Sequence, residues 1–180
     1  LDRYSAALGS RAAHPLLGYG SLHIGTIAGG TAPSVYPDQC EVQLECRTMP
    51  GTSADTVRAD VESVLDGVRA SEPALRASLE VTLARPGTEV STDSGLVRGL
   101  LDACRAHRVA PAVRGMTAWV DAAFLNEAGI PAVCFGPGSM TQAHTADEWI
   151  DVAEIATCAD VLETFARGLA LGRAEASERG

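Results

Sequence analysis

The chain has 180 residues, 46% of them apolar and 21% charged, which describes a globular sequence of one medium or two small domains and excludes a disordered one. Fourteen basic residues against twenty-three acidic ones leave a net charge of −9. Nucleic acid and membrane, which are bound through clustered positive charge, are therefore not expected as partners.

In chain order, Asp2 to Leu8 reads as a short helix broken by Gly9 and Ser10. Ser21 to Ala28 reads as a strand, with Leu22 and Ile24 on one face and His23 on the other. Gly29-Gly30 and Pro33 to Pro37 predict a long turn. Cys40, Val42, Leu44 and Cys46 then alternate with Glu41, Gln43, Glu45 and Arg47, a strand with one core face and one polar face, ended by Pro50-Gly51. Thr52 to Asp55 matches a capping box, and Val57, Val61, Val64, Leu65 and Val68 follow at helical spacing. Leu79, Val81 and Leu83 alternate as a third strand. This order predicts an α+β layer of split βαβ type over residues 1–87, whose remaining strand would precede Leu1.

After Pro86-Gly87 the pattern changes. Leu96, Val97, Leu100, Leu101 and Cys104 mark a helix, and Pro111 to Arg114 a short strand. Trp119 to Ala128 reads as helical, with Gly129 closing it, and the apolar run Ile130 to Phe135 reads as a strand buried on both faces. A last helix starts near Asp151, with Glu154 completing a capping box, and a frayed tail is expected after Gly172. Residues 88–172 thus predict part of an α/β domain, with 173–180 as a tail. The run from Ile130 is too short to span a bilayer, which takes about 20 apolar residues. No leader opens the chain, and its start at Leu1 suggests that sequence lies upstream.

All fourteen basic residues are Arg, so Schiff-base chemistry and a phosphate-loop lysine are excluded. Five cysteines without a CxxC pair (Cys40, Cys46, Cys104, Cys134, Cys158) predict buried free thiols and a reduced, cytoplasmic setting. Gly18-Tyr19-Gly20-Ser21 and Gly136-Pro137-Gly138-Ser139 fall short of the nucleophile-elbow and dinucleotide patterns. Cys104 and His107 lie one helical turn apart, but the thiol belongs to an apolar stripe and the imidazole suits a helix end. His14 reads as a loop residue and His23 as a solvated one. His144, in a loop that follows a buried strand and close to Asp147 and Glu148, can be a metal ligand or a solvated loop residue. Arg47 can hold a carboxylate in a bidentate fork or pair with the Glu residues of its own strand.

Two stretches carry a family resemblance. His14 to Gly51 (HPLLGYGSLHIGTIAGGTAPSVYPDQCEVQLECRTMPG) resembles the lid, or dimerisation, domain of the zinc aminoacylase, acetylornithine deacetylase, succinyl-diaminopimelate desuccinylase and carboxypeptidase G family. Ala118 to Trp149 (AWVDAAFLNEAGIPAVCFGPG…AHTADEW) resembles the last catalytic-domain motif of the same family, in its acetylornithine deacetylase-like branch. The resemblance implies an α/β metallopeptidase in which His144 is a zinc ligand, Arg47 holds the substrate carboxylate, and Asp121 supports the substrate region. Ser34 stands where relatives carry a substrate-facing Asn, and Val120 where they carry Thr.

It further implies two zinc ions about 4 Å apart, a zinc-bound hydroxide that attacks the amide, and a Glu general base. The remaining ligands and that Glu belong to an N-terminal half that this sequence does not contain, so the chain alone is expected to be inactive. The parent enzyme would hydrolyse N-acyl amino acids or dipeptide-like amides, or short peptides, as a homodimer joined through the lid. The alternative is a non-catalytic dimerisation module or degenerate remnant.

Overall fold

A computed structural model describes residues 2–177, with side chains described from Tyr4 to Ala170. The chain is a mixed α/β fold in two compact units, Leu1–Thr88 with Arg114–Ala123, and Glu89–Val113 with Phe124–Gly180. No helix of the described residues is long and apolar enough to cross a membrane.

In the first unit, α1 (Asp2–Gly9) precedes an antiparallel hairpin of β1 (Ser21–Gly29) and β2 (Cys40–Arg47), and α2 (Ala54–Ser71) follows. The hairpin register sets Ser21 opposite Arg47 and Gly29 opposite Cys40, with a bulge between Ile24 and Thr26 that falls at Gly25. Tyr4 and Leu8 of α1 and Val61 of α2 form the core, with Leu22, Cys46, Val57, Val64 and Leu79 packed around it. Burial is therefore concentrated at the Leu22–Cys46 end of the ribbon. Cys40 and Val42, expected on a core face, are exposed because the core contacts do not extend to them. Asp60 ties the helices, accepting hydrogen bonds from the Tyr4 hydroxyl at 3.3 Å and from Arg11 at 2.5 Å.

The cap of α2 lies one residue later than the capping box suggests: the Ser53 hydroxyl accepts from the Thr56 N–H at 3.1 Å. The third strand expected at Leu79–Leu83 does not form. Arg69 of α2 donates to the Ala77 carbonyl at 2.7 Å and Arg58 to the Leu79 carbonyl at 3.5 Å, so side chains take the acceptors that a neighbouring strand would use. Leu79 still packs on the core. Pro111–Arg114 is likewise not a strand.

In the second unit, α3 (Gly95–Ala106) packs on α5 (Val152–Ser177) through Ala103, Cys104 and Val161, flanked by Val109 and Phe165. Ser94 caps α3, accepting from the Val97 N–H at 3.2 Å. Its far end closes in a Schellman pattern, Val109 N–H to Cys104 carbonyl and Arg108 N–H to Arg105 carbonyl, with Arg108 left-handed at φ 59°. The same pattern closes α4 (Ala122–Glu127), with Ile130 donating to Leu125, Gly129 to Asn126, and Gly129 at φ 77°. This helix begins three residues later than the Trp119 start expected from sequence.

Ile130 to Phe135 is not a strand, and Ile130 is 55% exposed. No strand partner lies beside it among the described residues. The Asn126 side chain instead accepts from the Ala132 N–H at 2.8 Å and donates to its carbonyl at 2.9 Å. At α5, the Asp151 carboxylate caps the first turn through the Ala153 N–H at 2.8 Å. Glu154 does not complete a capping box; it accepts from the Gly138 N–H at 2.9 Å and fastens the Gly136-Pro137-Gly138 turn to the helix. The helix runs through Ser177, and the end of the expected tail, 178–180, lies outside the described residues.

Candidate functional site

Arg47 ends β2 at the packed end of the hairpin. Its Nε pairs with the Glu45 carboxylate at 2.5 Å, and its Nη1 donates to the Thr117 carbonyl at 2.8 Å, seventy positions along the chain. Of the two roles considered for this arginine, the structure shows the ordinary surface pair with Glu45. Such an exposed pair is worth about 0–1 kcal/mol, so a competing carboxylate can displace Glu45 at small cost. The planar fork suits that exchange, because it can take two carboxylate oxygens at once. Gly20 is needed beside it: a Cβ there would lie 2.9 Å from the Arg47 carbonyl oxygen and push the end of β2 outward.

The Thr117 segment is docked on the first unit at further points. Gly115 leaves no room for a Cβ against the Leu16 carbonyl, and the Arg85 guanidinium lies 5.0 Å from the centre of the Trp119 ring. Asp121 follows two residues later and is exposed. Ser34 is exposed in the turn that joins β1 to β2, where the Val35 N–H bonds to the Ala32 carbonyl. Arg47, Ser34 and Asp121 thus share the first unit. Sequence reasoning missed Arg85; its only advance signal was its place just before Pro86-Gly87.

His144 belongs to the second unit, in the loop after Gly138, and is exposed. Its backbone is left-handed at φ 62°, a conformation that costs a non-glycine residue about 1–2 kcal/mol. The Glu148 carboxylate accepts from the His144 N–H at 3.1 Å, so Glu148 holds the loop's main chain. Asp147 is exposed. No three His, Cys, Asp or Glu side chains gather into a metal-binding group among the described residues.

The other polar groups have structural occupations. Nδ1 of His14 accepts from the Leu16 and Leu17 N–H groups at 3.2 Å, and His23 bonds Ser21 at 3.0 Å. His107 caps α3 and its ring meets Thr164 at 2.7 Å, which separates it from any role beside Cys104. Burial, then the charge of Cys158, pushes the Cys104 thiol above its ordinary range; burial, then Asp60 and Glu45, does the same to Cys46. Thiols held protonated are poor nucleophiles. Cys40 and Cys134 are exposed, against the expectation of burial, because the segments that carry them lie away from either core.

These features define an α/β chain whose candidate chemistry lies in an arginine fork and a strained loop imidazole. The sequence model of Peptidase family M20/M25/M40 matches residues 10–168, and the chain belongs to that family. It is 30% identical over 142 residues to an acetylornithine deacetylase of Myxococcus xanthus, covering 79% of this chain and 36% of that protein. A candidate succinyl-diaminopimelate desuccinylase of Mycobacterium tuberculosis is also 30% identical over 142 residues, covering 79% of this chain and 37% of the relative. Among solved structures, aminopeptidase PepT from Bacillus cereus matches with a TM-score of 0.65 and 23% identity, over 81% of this chain and 39% of that one. The M20 family metallo-carboxypeptidase Sso-CP2 from Sulfolobus solfataricus matches with a TM-score of 0.61 and 16% identity, over 91% and 41%. The two structural likenesses show a shared fold. The chain spans little more than a third of the length of the curated relatives named here.

Proposed function

We propose that this chain is part of a metal-dependent amidohydrolase that cleaves N-acyl amino acids or dipeptide-like amides. Arg47 anchors the carboxylate end of the substrate, Ser34 and Asp121 stand on the substrate side, and His144 is one ligand of a divalent metal, zinc by resemblance. The observation that carries the reading is the Arg47 fork, bound on one arm to the Thr117 carbonyl and on the other to a weakly held, displaceable carboxylate. The family match and the names of the deacetylase and desuccinylase relatives support the same chemistry.

The donor set of the described residues does not by itself fit a catalytic metal centre. Such a zinc takes about three protein ligands, and no group of three is present among them. On this reading the other ligands and the general base come from an N-terminal half of the same protein. The 180 residues alone then hydrolyse nothing. Two copies pair through the hairpin edge, since a strand at a sheet edge can add a strand from a neighbouring chain.

The test uses the whole protein, with metal analysis and a panel of N-acetyl amino acids and short peptides. Bound divalent metal and turnover are expected. Replacement His144→Asn, chosen because Asn tolerates the left-handed backbone, should lose both. Arg47→Ala should raise KM by about 10-fold or more, as loss of a hydrogen bond to a charged group does. A metal-free dimer without turnover would instead identify a dimerisation module. Turnover by the 180 residues alone would overturn the donor-set argument.

A further inference from the structure

We propose that Arg85 is a positioning residue for the substrate-carboxylate site, acting on Arg47 through the Thr117–Trp119 strap. The inference rests on the reading that Arg47 binds the substrate's carboxylate. The strap belongs to neither a helix nor a strand, so contacts from the rest of its unit fix its place. Arg47 Nη1 holds the Thr117 carbonyl at 2.8 Å, Gly115 abuts the Leu16 carbonyl, and Arg85 covers the Trp119 ring at 5.0 Å.

The Arg47 fork has two acceptors that set its direction, Glu45 on its own strand and Thr117 on the strap. When a substrate carboxylate displaces Glu45, Thr117 becomes the acceptor that aims the fork. The position of the strap then decides where the carboxylate rests. Arg85 clamps that strap two residues beyond Thr117, on the face of an indole, where a guanidinium keeps its charge at any working pH. Trp119 is 38% exposed, so without Arg85 more of the ring would meet water.

The experiment uses the whole protein and N-acyl amino acids, beside the analogues whose carboxylate is a carboxamide. Arg85→Ala should raise KM for the carboxylate substrate about 2- to 5-fold, the range of an exposed cation–π contact, with kcat held. It should leave the carboxamide analogue unaffected, and Arg85→Lys should restore most of the loss. The part of the tryptophan emission that Trp119→Phe removes should lie at longer wavelength in Arg85→Ala. Trp119→Phe, which keeps a ring under the cation, should give a smaller rise in KM. If Arg47→Ala raises KM while Arg85→Ala changes neither KM nor emission, the Arg85 inference alone is overturned. An equal rise on carboxylate and carboxamide, or a loss confined to kcat, overturns it too. An Arg47→Ala variant with unchanged KM defeats the carboxylate reading itself.

Discussion

Two segments, Cys40–Arg47 and Ile130–Phe135, both read as strands, yet only the first forms one. β2 finds its neighbour after a ten-residue turn, and every residue from Cys40 to Arg47 has a partner in β1. Ile130–Phe135 has no such neighbour among the described residues, and the Asn126 amide supplies both hydrogen bonds of Ala132. The contrast separates two properties that sequence patterns combine. Hydrophobic pattern says which side chains favour burial, whereas a strand exists only where another backbone meets its donors and acceptors.

Three perturbations sharpen that contrast. The largest expected effect is alkaline. Burial, then the charge of Asp60, pushes the Tyr4 phenol from 10 to about 12, with Cys46 adding to the rise and Arg11 opposing it. Below pH 10 the phenol is protonated folded or unfolded, and its contribution is fully present. Between about pH 10 and 12 the unfolded chain releases the proton first, so the first unit loses about 1.4 kcal/mol per pH unit. Cys46 in the same unit and Cys104 in the other are shifted in the same direction and also lose stability as pH rises. Amide exchange of α1 and α2 against pH should show a shallower decline in Tyr4→Phe; an unchanged slope would refute the assignment.

Next in size, Asn126→Ala should destabilise the second unit by about 1–3 kcal/mol, since two backbone groups of a half-buried residue lose their partner together. Faster exchange of the Ala132 amide, with β1–β2 unaffected, is the measurement. The smallest pair compares two helix ends of one geometry. Arg108→Gly should stabilise by about 1 kcal/mol and Gly129→Ala should destabilise by a similar amount, because both sites are left-handed and only one carries the residue suited to it. Thermal unfolding reads both, and changes of the same sign would contradict the account.

Local patterns made much of the fold legible. The alternation in β2 and the helical spacing of Val57, Val61 and Val64 needed only neighbours in sequence. Distant competition decided what was missed. The carbonyls of Ala77 and Leu79 went to arginines of α2, Glu154 bonded the Gly138 turn in place of its own helix end, and α4 began after Trp119. At the candidate site, residue type and motif singled out Arg47 and His144. The bond from Arg47 to Thr117 and the stacking of Arg85 on Trp119 depend on packing across 70 and 34 positions, which no local pattern encodes.

The main chain at position 144 has a consequence for how the imidazole is aimed. A residue at φ 62° projects its Cβ along a direction that the same residue in the common right-handed basin does not share. The bearing of the ring is thus written first into the loop and only then adjusted by rotation about χ1. Glu148, which grips the peptide N–H of that position, acts as a rudder for a ring it need not touch.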